Sequence, residues 1–476
     1  MHTKLRALLG GALLLAAAVG CRDFLTEEGV GTDPNNPSQA TRDQRLVAAQ
    51  ATIFSWSEGP IAQISCIWVQ ACAGVGGRFV ETRGRLYTIF PADFSADFSQ
   101  VYIGAGLVDL RIVEASAEDD GDRVYAGIAK VMEAYLVGMA ASIWGDIPYR
   151  EAVTDSVTPV LDPQEQVYAD VQALLDEAIT DLASGTGPGP GAVDLVYGGD
   201  ATKWRQVANT LKARYYMHWV EAQLVGGANL PRAQLACGGD CLTKAIAAAT
   251  NGISSSANDF KAVHGGSGTE RNIWGQFAGT SFGNDLAAGS VLVNLLRTRN
   301  DPRLTQYYGP NAVGGRGGDD VNSSTPADQV SPLGAPRLAP DFAQPIITYE
   351  ENQLILAEAR FRTAGQAAAQ PNLNAVRALF GLGVVPATLQ NIALEKYVSL
   401  FQNIEAWNDY KRTCIPTLDP AGANREVPGR LLYGQAEANA NPNVPSVSEQ
   451  QTNGGVAGGR PGVGGFRNPN DPRACT

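Results

Sequence analysis

Histidine is nearly missing from this chain, with three residues among 476, beside four methionines and seven cysteines. His2 lies in a segment expected to be removed, which leaves His218 and His264, and neither stands beside a cysteine pair. Zinc sites draw on CxxC pairs or nearby histidines, so a metal centre has no obvious donor set here. Basic runs are missing too. Lys and Arg number 36 against 48 acids, for a formal net charge of −12. Nucleic acid is therefore not an expected partner, because phosphate neutralisation needs clustered cations. An HExxH pair and a P-loop are both lacking. Helical glycosidases need two carboxylates about 5 to 10 Å apart. Glu350 with Glu358, and Asp93 with Asp97, are the nearest candidates, but an acidic chain yields such pairs by chance. The sequence predicts no enzyme and no cofactor.

What is present begins at the N-terminus. Lys4 and Arg6 precede a short apolar stretch, Leu8 to Val19, closed by Gly20-Cys21. About 20 apolar residues are needed to span a bilayer, so this stretch reads as a cleavable export signal over residues 1–20. Ala18-Val19-Gly20-Cys21 resembles a bacterial lipobox, which implies lipidation of Cys21 and a membrane anchor. Arg22 follows, not the Asp that retains many lipoproteins in the inner membrane, and this points to the outer membrane. Residues 21–40 then read as a lipidated tether, rich in Gly, Pro, Asn and acids, and 41–476 as the body.

Helical periodicity dominates the body. Val124, Ile128, Val131, Tyr135, Met139 and Ile143 form one stripe over 122–144. Asp162-Pro163 predicts a helix start with an Asp N-cap, and Asp200 caps another carrying Trp204, Val207, Leu211, Tyr215 and Trp219. Further helices are expected at about 41–57, 99–118, 284–298, 348–363, 372–380 and 389–412, with a short strand at Leu86–Phe90. Residues 184–199 and 308–345 read as long loops. Mostly α, with irregular loops supplying the surface, is the expected class. Six cysteines remain after Cys21, and an even count in an exported chain predicts three disulfides. Proximity favours Cys66–Cys72 and Cys237–Cys241, which leaves Cys414–Cys475 to fasten the tail.

Several motifs then occur in an ordered series. They are Arg22-Asp23-Phe24-Leu25, Trp144-Gly145-Asp146-Ile147-Pro148-Tyr149, Trp204 through Arg214, Asp301-Pro302-Arg303-Leu304, Glu350 through Arg362, and Pro428, Arg430, Tyr433, Glu437 and Asn441. The series resembles the SusD/RagB family of nutrient-uptake outer-membrane lipoproteins. One departure lies at Glu395-Lys396, Phe401 to Glu405 and Asp409 to Arg412, where charges differ from the family pattern. Buried ion pairs are expected there, so this stretch is predicted to dock differently. The resemblance implies a SusD-like helical fold with tetratricopeptide-like helix pairs. It also implies capture of a glycan or peptide nutrient, surface exposure on the outer membrane, and a partner TonB-dependent receptor. A tetratricopeptide-like protein-binding scaffold and, less favoured, a glycoside hydrolase are the alternatives.

A glycan site needs aromatic faces and flat hydrogen-bonding side chains. Loops 74–98 and 264–284 carry that mixture in Gly-rich surroundings. Arg78 and Tyr87 from the first, and Arg271, Trp274, Gln276 and Phe282 from the second, are the expected ligand-binding residues.

Overall fold

The computed structural model describes residues 40–75, 87, 89–227, 230–279, 285–322, 325–419, 427–446, 467–471 and 475. The expected signal peptide, Cys21 and the tether up to residue 39 lie outside the described residues.

Helices build the body. The first group is α1 (Arg42–Glu58), α2 (Pro60–Trp68), α3 (Ser95–Gln100), α4 (Leu107–Asp119) and α5 (Arg123–Trp144). The second is α6 (Gln164–Ser184), α7 (Ala201–His218), α8 (Val220–Val225), α9 (Leu230–Cys237) and α10 (Cys241–Thr250). Loops separate α11 (Ile273–Ala278), α12 (Ser290–Thr298) and α13 (Arg303–Tyr307). The last group is α14 (Tyr349–Ala364), α15 (Gln366–Ala378), α16 (Leu389–Ser399), α17 (Glu405–Thr413) and α18 (Gln435–Ala440). Two antiparallel strand pairs complete the set: β1 (Cys72–Gly74) with β3 (Leu286–Ala288), and β2 (Phe260–Ala262) with β4 (Gln344–Ile347).

Packing follows chain order: α4 lies on α5, α5 on α6, α6 on α7, and α7 continues through α10 to α14 and α15. This is the helix-pair stacking expected from the sequence. α5 is long and apolar enough to cross a membrane, yet its apolar stretch is wholly buried and it serves as the core helix. Asp122 caps it by accepting from the Tyr125 amide at 3.0 Å. Gly138 gives α7 its close approach, since a Cβ there would sit 2.4 Å from the Tyr215 ring. Tyr215 uses that space to donate to the Ala134 and Tyr135 carbonyls at 3.1 and 3.0 Å. Gly145, at φ +86°, ends the helix in a conformation that costs other residues. All seven tryptophans are buried in this body.

Several local expectations are corrected. Asp162 does not cap α6. Its carboxylate accepts from the Tyr149 and Arg150 amides at 3.0 and 2.8 Å, and Asp146 instead takes the Gln164 amide at 2.9 Å. Asp146 is buried, and burial pushes its carboxyl up to about 6. The expected strand at 86–90 is not formed at the described residues Tyr87, Ile89 and Phe90. The expected helix over 389–412 is broken between α16 and α17, where Gln402 adopts φ +63°. The stretch read as 99–118 is α3 and α4 with a turn between them, and α2, α9 and α10 had no separate expectation. The three disulfides pair as expected, Cys66–Cys72, Cys237–Cys241 and Cys414–Cys475. The last one fastens a tail whose Asn468 donates to the Ser142 carbonyl at 2.6 Å.

The late helices, where the charge pattern departs from the family, are nevertheless held by buried ion pairs. Arg214 of α7 donates to both Glu351 oxygens of α14, Nε at 2.6 Å and Nη2 at 2.5 Å. It also faces Glu405 of α17 at 3.9 Å, and Glu405 meets His218 at 2.8 Å. Glu358 of α14 takes a two-pronged contact from Arg412 of α17 at 2.5 and 2.7 Å. Burial alone would raise the Glu358 carboxyl, but Arg412 and then Arg362 pull it down to about 2. Burial opposes ionisation of Glu405 as well, and His218 with Arg214 hold it well below the usual carboxylate range. Lys396 of α16 pairs with Asp409 of α17 at 2.7 Å, and Glu395 gathers Arg303 and Arg377 at 2.5 and 2.8 Å. Removing one member of such a set strands its partner in a low-dielectric interior. Arg214→Met is therefore expected to lower unfolding stability by about 3–5 kcal/mol, read from urea denaturation. An unchanged midpoint would contradict this assignment.

Candidate functional site

The short β1–β3 ladder organises the candidate site. Its register pairs Cys72 with Ala288 and Gly74 with Leu286, and the Val75 amide donates to Asp285 at 2.9 Å. Loop 74–98 leaves the ladder at this point, and loop 264–284 enters it here. Val75 at the head of the first segment and Asp285 just after the second, 210 positions apart, therefore lie side by side. Cys66–Cys72 ties β1 back to α2, and Tyr308 donates to the Ala71 carbonyl at 2.6 Å. On the other edge of β3, Ala288 exchanges backbone bonds with Ser331 and Asp319 at 2.9 and 2.8 Å.

A cavity of about 660 Å³ opens beside this ladder. Val75, Phe277, Leu286, Val330, Leu333 and Leu338 supply apolar wall, while Asp319, Thr325 and Ser331 add polar groups. Apolar faces with a few polar groups are the usual make-up of a small-ligand site. A second cavity of about 750 Å³ lies against α1, between Val47, Ala51 and Phe54 on one side and Val263, Arg271 and Ile273 on the other. Segment 263–278 thus reaches both, through Arg271 and Ile273 into the second and through Phe277 and Ala278 into the first.

Glu58, at the end of α1, fixes that segment. It is fully buried, and it receives the Asn272 side-chain amide at 3.0 Å and the Ile273 amide at 3.2 Å. His264 Nε2 lies 2.6 Å from its other oxygen. Burial raises the Glu58 carboxyl from its ordinary range, while His264 and the Ile273 amide work to lower it. Asn272 also caps α11, its side-chain oxygen accepting from the Gly275 amide at 2.9 Å. Behind the first cavity, the Arg337 guanidinium lies 4.8 Å from the Phe342 ring and donates to Gln402 at 2.9 Å.

The sequence-predicted residues fall into three groups. Arg271 is exposed at the rim of the second cavity. Gln276 is half-buried, and its amide is engaged by the Arg271 carbonyl at 2.6 Å and the Thr269 carbonyl at 3.2 Å. Trp274 and Tyr87 are buried, at 0% and 5% exposure, so neither offers an open face for sugar stacking in this conformation. Trp274 belongs to the hydrophobic core, because α11 turns its first residues inward against that core. Arg78 and Phe282 lie outside the described residues. Sequence reasoning placed Phe277 among the residues of loop 264–284 without favouring it, and missed the 319–338 wall and Glu58. The wall sits inside a segment read only as a long loop. Glu58 stands just before Gly59-Pro60, a helix-stop signal that marked the position without disclosing its partners. Trp274→Ala is expected to cost about 3–5 kcal/mol of folding stability through the cavity it leaves, measured by chemical denaturation. A stability close to that of the native protein would show that the indole is not a core anchor.

Three comparisons bear on what this architecture is. A search of curated protein sequences gives no match. Among solved structures, the fold is shared with a chitin-binding protein at 21% identity and TM-score 0.71, covering 91% of this chain and 100% of that one. It is shared also with a chitin-binding SusD homologue from Flavobacterium johnsoniae at 17% identity and TM-score 0.71, covering 90% and 98%. A SusD homologue from Bacteroides fragilis matches at 21% identity and TM-score 0.68, covering 89% and 98%. A family model described as starch-binding, associating with the outer membrane, matches residues 34–382. The ordered motifs, the stacked helix pairs and this match together make the chain a member of the SusD-like family.

Proposed function

We propose that this protein captures a glycan at the cavity beside the β1–β3 ladder and delivers it to a partner TonB-dependent outer-membrane receptor. In this reading Cys21 carries the lipid anchor and the body faces outwards. The observation that carries the proposal is the ladder itself, beside which Val75, at the head of the first loop, and Phe277, in the second, line one cavity. The family's starch-binding description and the two structural relatives named for chitin binding support a glycan over other nutrients. Phe277 is the aromatic proposed to meet a sugar face, and Arg271, on the same segment, is proposed as a hydrogen-bonding group at the second cavity; Arg78, Gln276 and Phe282 remain proposed ligand contacts. No chemistry on the glycan is part of this reading. Glu358, half of the carboxylate pair considered for hydrolysis, is engaged by Arg412 and Arg362.

The scaffold alternative has one observation in its favour. Leu224 and Val225 of α8 and Leu235 of α9 are roughly half exposed, which suits a protein-docking face. In the capture reading the receptor occupies such a face, so the two readings part on ligand binding.

Calorimetric titration with chitohexaose and maltohexaose tests the site. Phe277→Ala is expected to weaken the better ligand about tenfold, the loss of one aromatic contact. Unchanged affinity for both sugars, with the fold intact by circular dichroism, would sink the assignment. Purification of the lipidated protein in mild detergent tests the partner: a stoichiometric TonB-dependent barrel is expected, and an intact acylated protein recovered alone would favour a free-standing binder.

A further inference from the structure

We infer that Glu58 and His264 form a proton-dependent latch that positions segment 263–278 between the two cavities. The inference concerns control of the proposed capture site, and its functional consequence rests on that reading. Its physical basis does not. His264 Nδ1 lies 3.2 Å from the Glu270 carbonyl, and its Nε2 lies 2.6 Å from Glu58 Oε1. A carbonyl oxygen only accepts, so Nδ1 must donate. An ionised carboxylate also only accepts, so Nε2 must then donate as well, which makes the ring an imidazolium. If the ring is neutral, Glu58 itself must carry the proton and donate it to Nε2. Both arrangements hold one proton more than a neutral histidine beside an ionised glutamate. Without that proton, one of the two short contacts becomes lone pair against lone pair, whichever tautomer the ring adopts.

The surroundings set the direction. Burial of Glu58 favours retention of the proton. Arg337, on the 335–338 turn, favours ionised Glu58 and opposes it. Glu270 and Arg271 flank the latch on its own segment, both exposed to solvent. A carboxyl raised in the latched state contributes stability that is present at low pH and lost as pH rises through its raised value. The latch therefore holds at mildly acidic pH and loosens towards alkaline pH. Once loosened, it frees residues 264–271, with Arg271, beside the second cavity, while Asn272 and the Ile273 amide keep their bonds to ionised Glu58 and hold the start of α11.

Hydrogen exchange of the full mature chain, read by mass spectrometry at about pH 5.5 and about pH 8, tests this without any ligand. Rates are corrected for intrinsic exchange and referenced to α5 amides. Native protein is expected to open residues 263–271 about tenfold more often at the higher pH. In Glu58→Gln the amide donates to Nε2 while Nδ1 still donates to Glu270, so protection is expected to be high and equal at both values. His264→Ala is expected to be open at both. Equal protection of the native protein at the two values overturns the inference, as does a pH dependence that survives in Glu58→Gln. Should neither hexaose bind at either pH, the capture reading fails and the exchange result stands independently.

Discussion

The buried carboxylate–guanidinium network across α7, α14 and α17 is the constraint on which the rest of this structure depends. Arg214 cannot be left in the interior without Glu351 and Glu405, and Glu358 cannot be left there without Arg412. Desolvating these ions costs several kcal/mol each, and only two-pronged geometry with further hydrogen bonds offsets it. The network therefore tolerates one relative placement of its helices. Arg214 adds a donated bond to the Ile346 carbonyl at 2.9 Å, which carries the constraint into β4 and so into β2.

From that frame the site is positioned by relays of backbone contacts. α17 follows α16, whose Tyr397 donates to the Val69 carbonyl at 2.9 Å, just ahead of β1. Tyr307 of α13 donates to the Val398 carbonyl at 3.1 Å and stacks on Phe401 at 4.4 Å between centroids. Its neighbour Tyr308 reaches the Ala71 carbonyl. The β1 side of the ladder beside the first cavity is thus held by tyrosines of the late helices and of the segment after α13. A rigid frame beneath variable loops is the arrangement in which loop chemistry sets what is bound.

Much of the frame was legible in the sequence. The stripe on α5 is a direct product of 3.6-residue periodicity, and the cap at Asp200 forms as predicted, accepting from the Thr202 and Lys203 amides at 3.0 and 3.1 Å. The disulfides followed from proximity and an even count. Less legible was anything decided by contacts between distant segments. Asp162 carries the right residue type for a cap, but two amides of the 149–150 turn compete for its carboxylate and win. The late helices are held by ion pairs that local charge order did not disclose, since Glu395 meets Arg303 and Arg377 from other helices. In the candidate site the right segments were visible through their composition, while the facing of each ring was not. Trp274 and Phe277 are three positions apart on one helix, and the core takes one while the cavity takes the other. Periodicity cannot state which face of a single-turn helix is inward when its neighbours come from positions near 338 and 58.

The most direct test of the account is a crystal structure of the protein soaked with chitohexaose or maltohexaose. The expected result is a sugar in the cavity beside the β1–β3 ladder, with one ring against Phe277 and the body helices unmoved. A sugar bound elsewhere, with that cavity empty, would contradict the account.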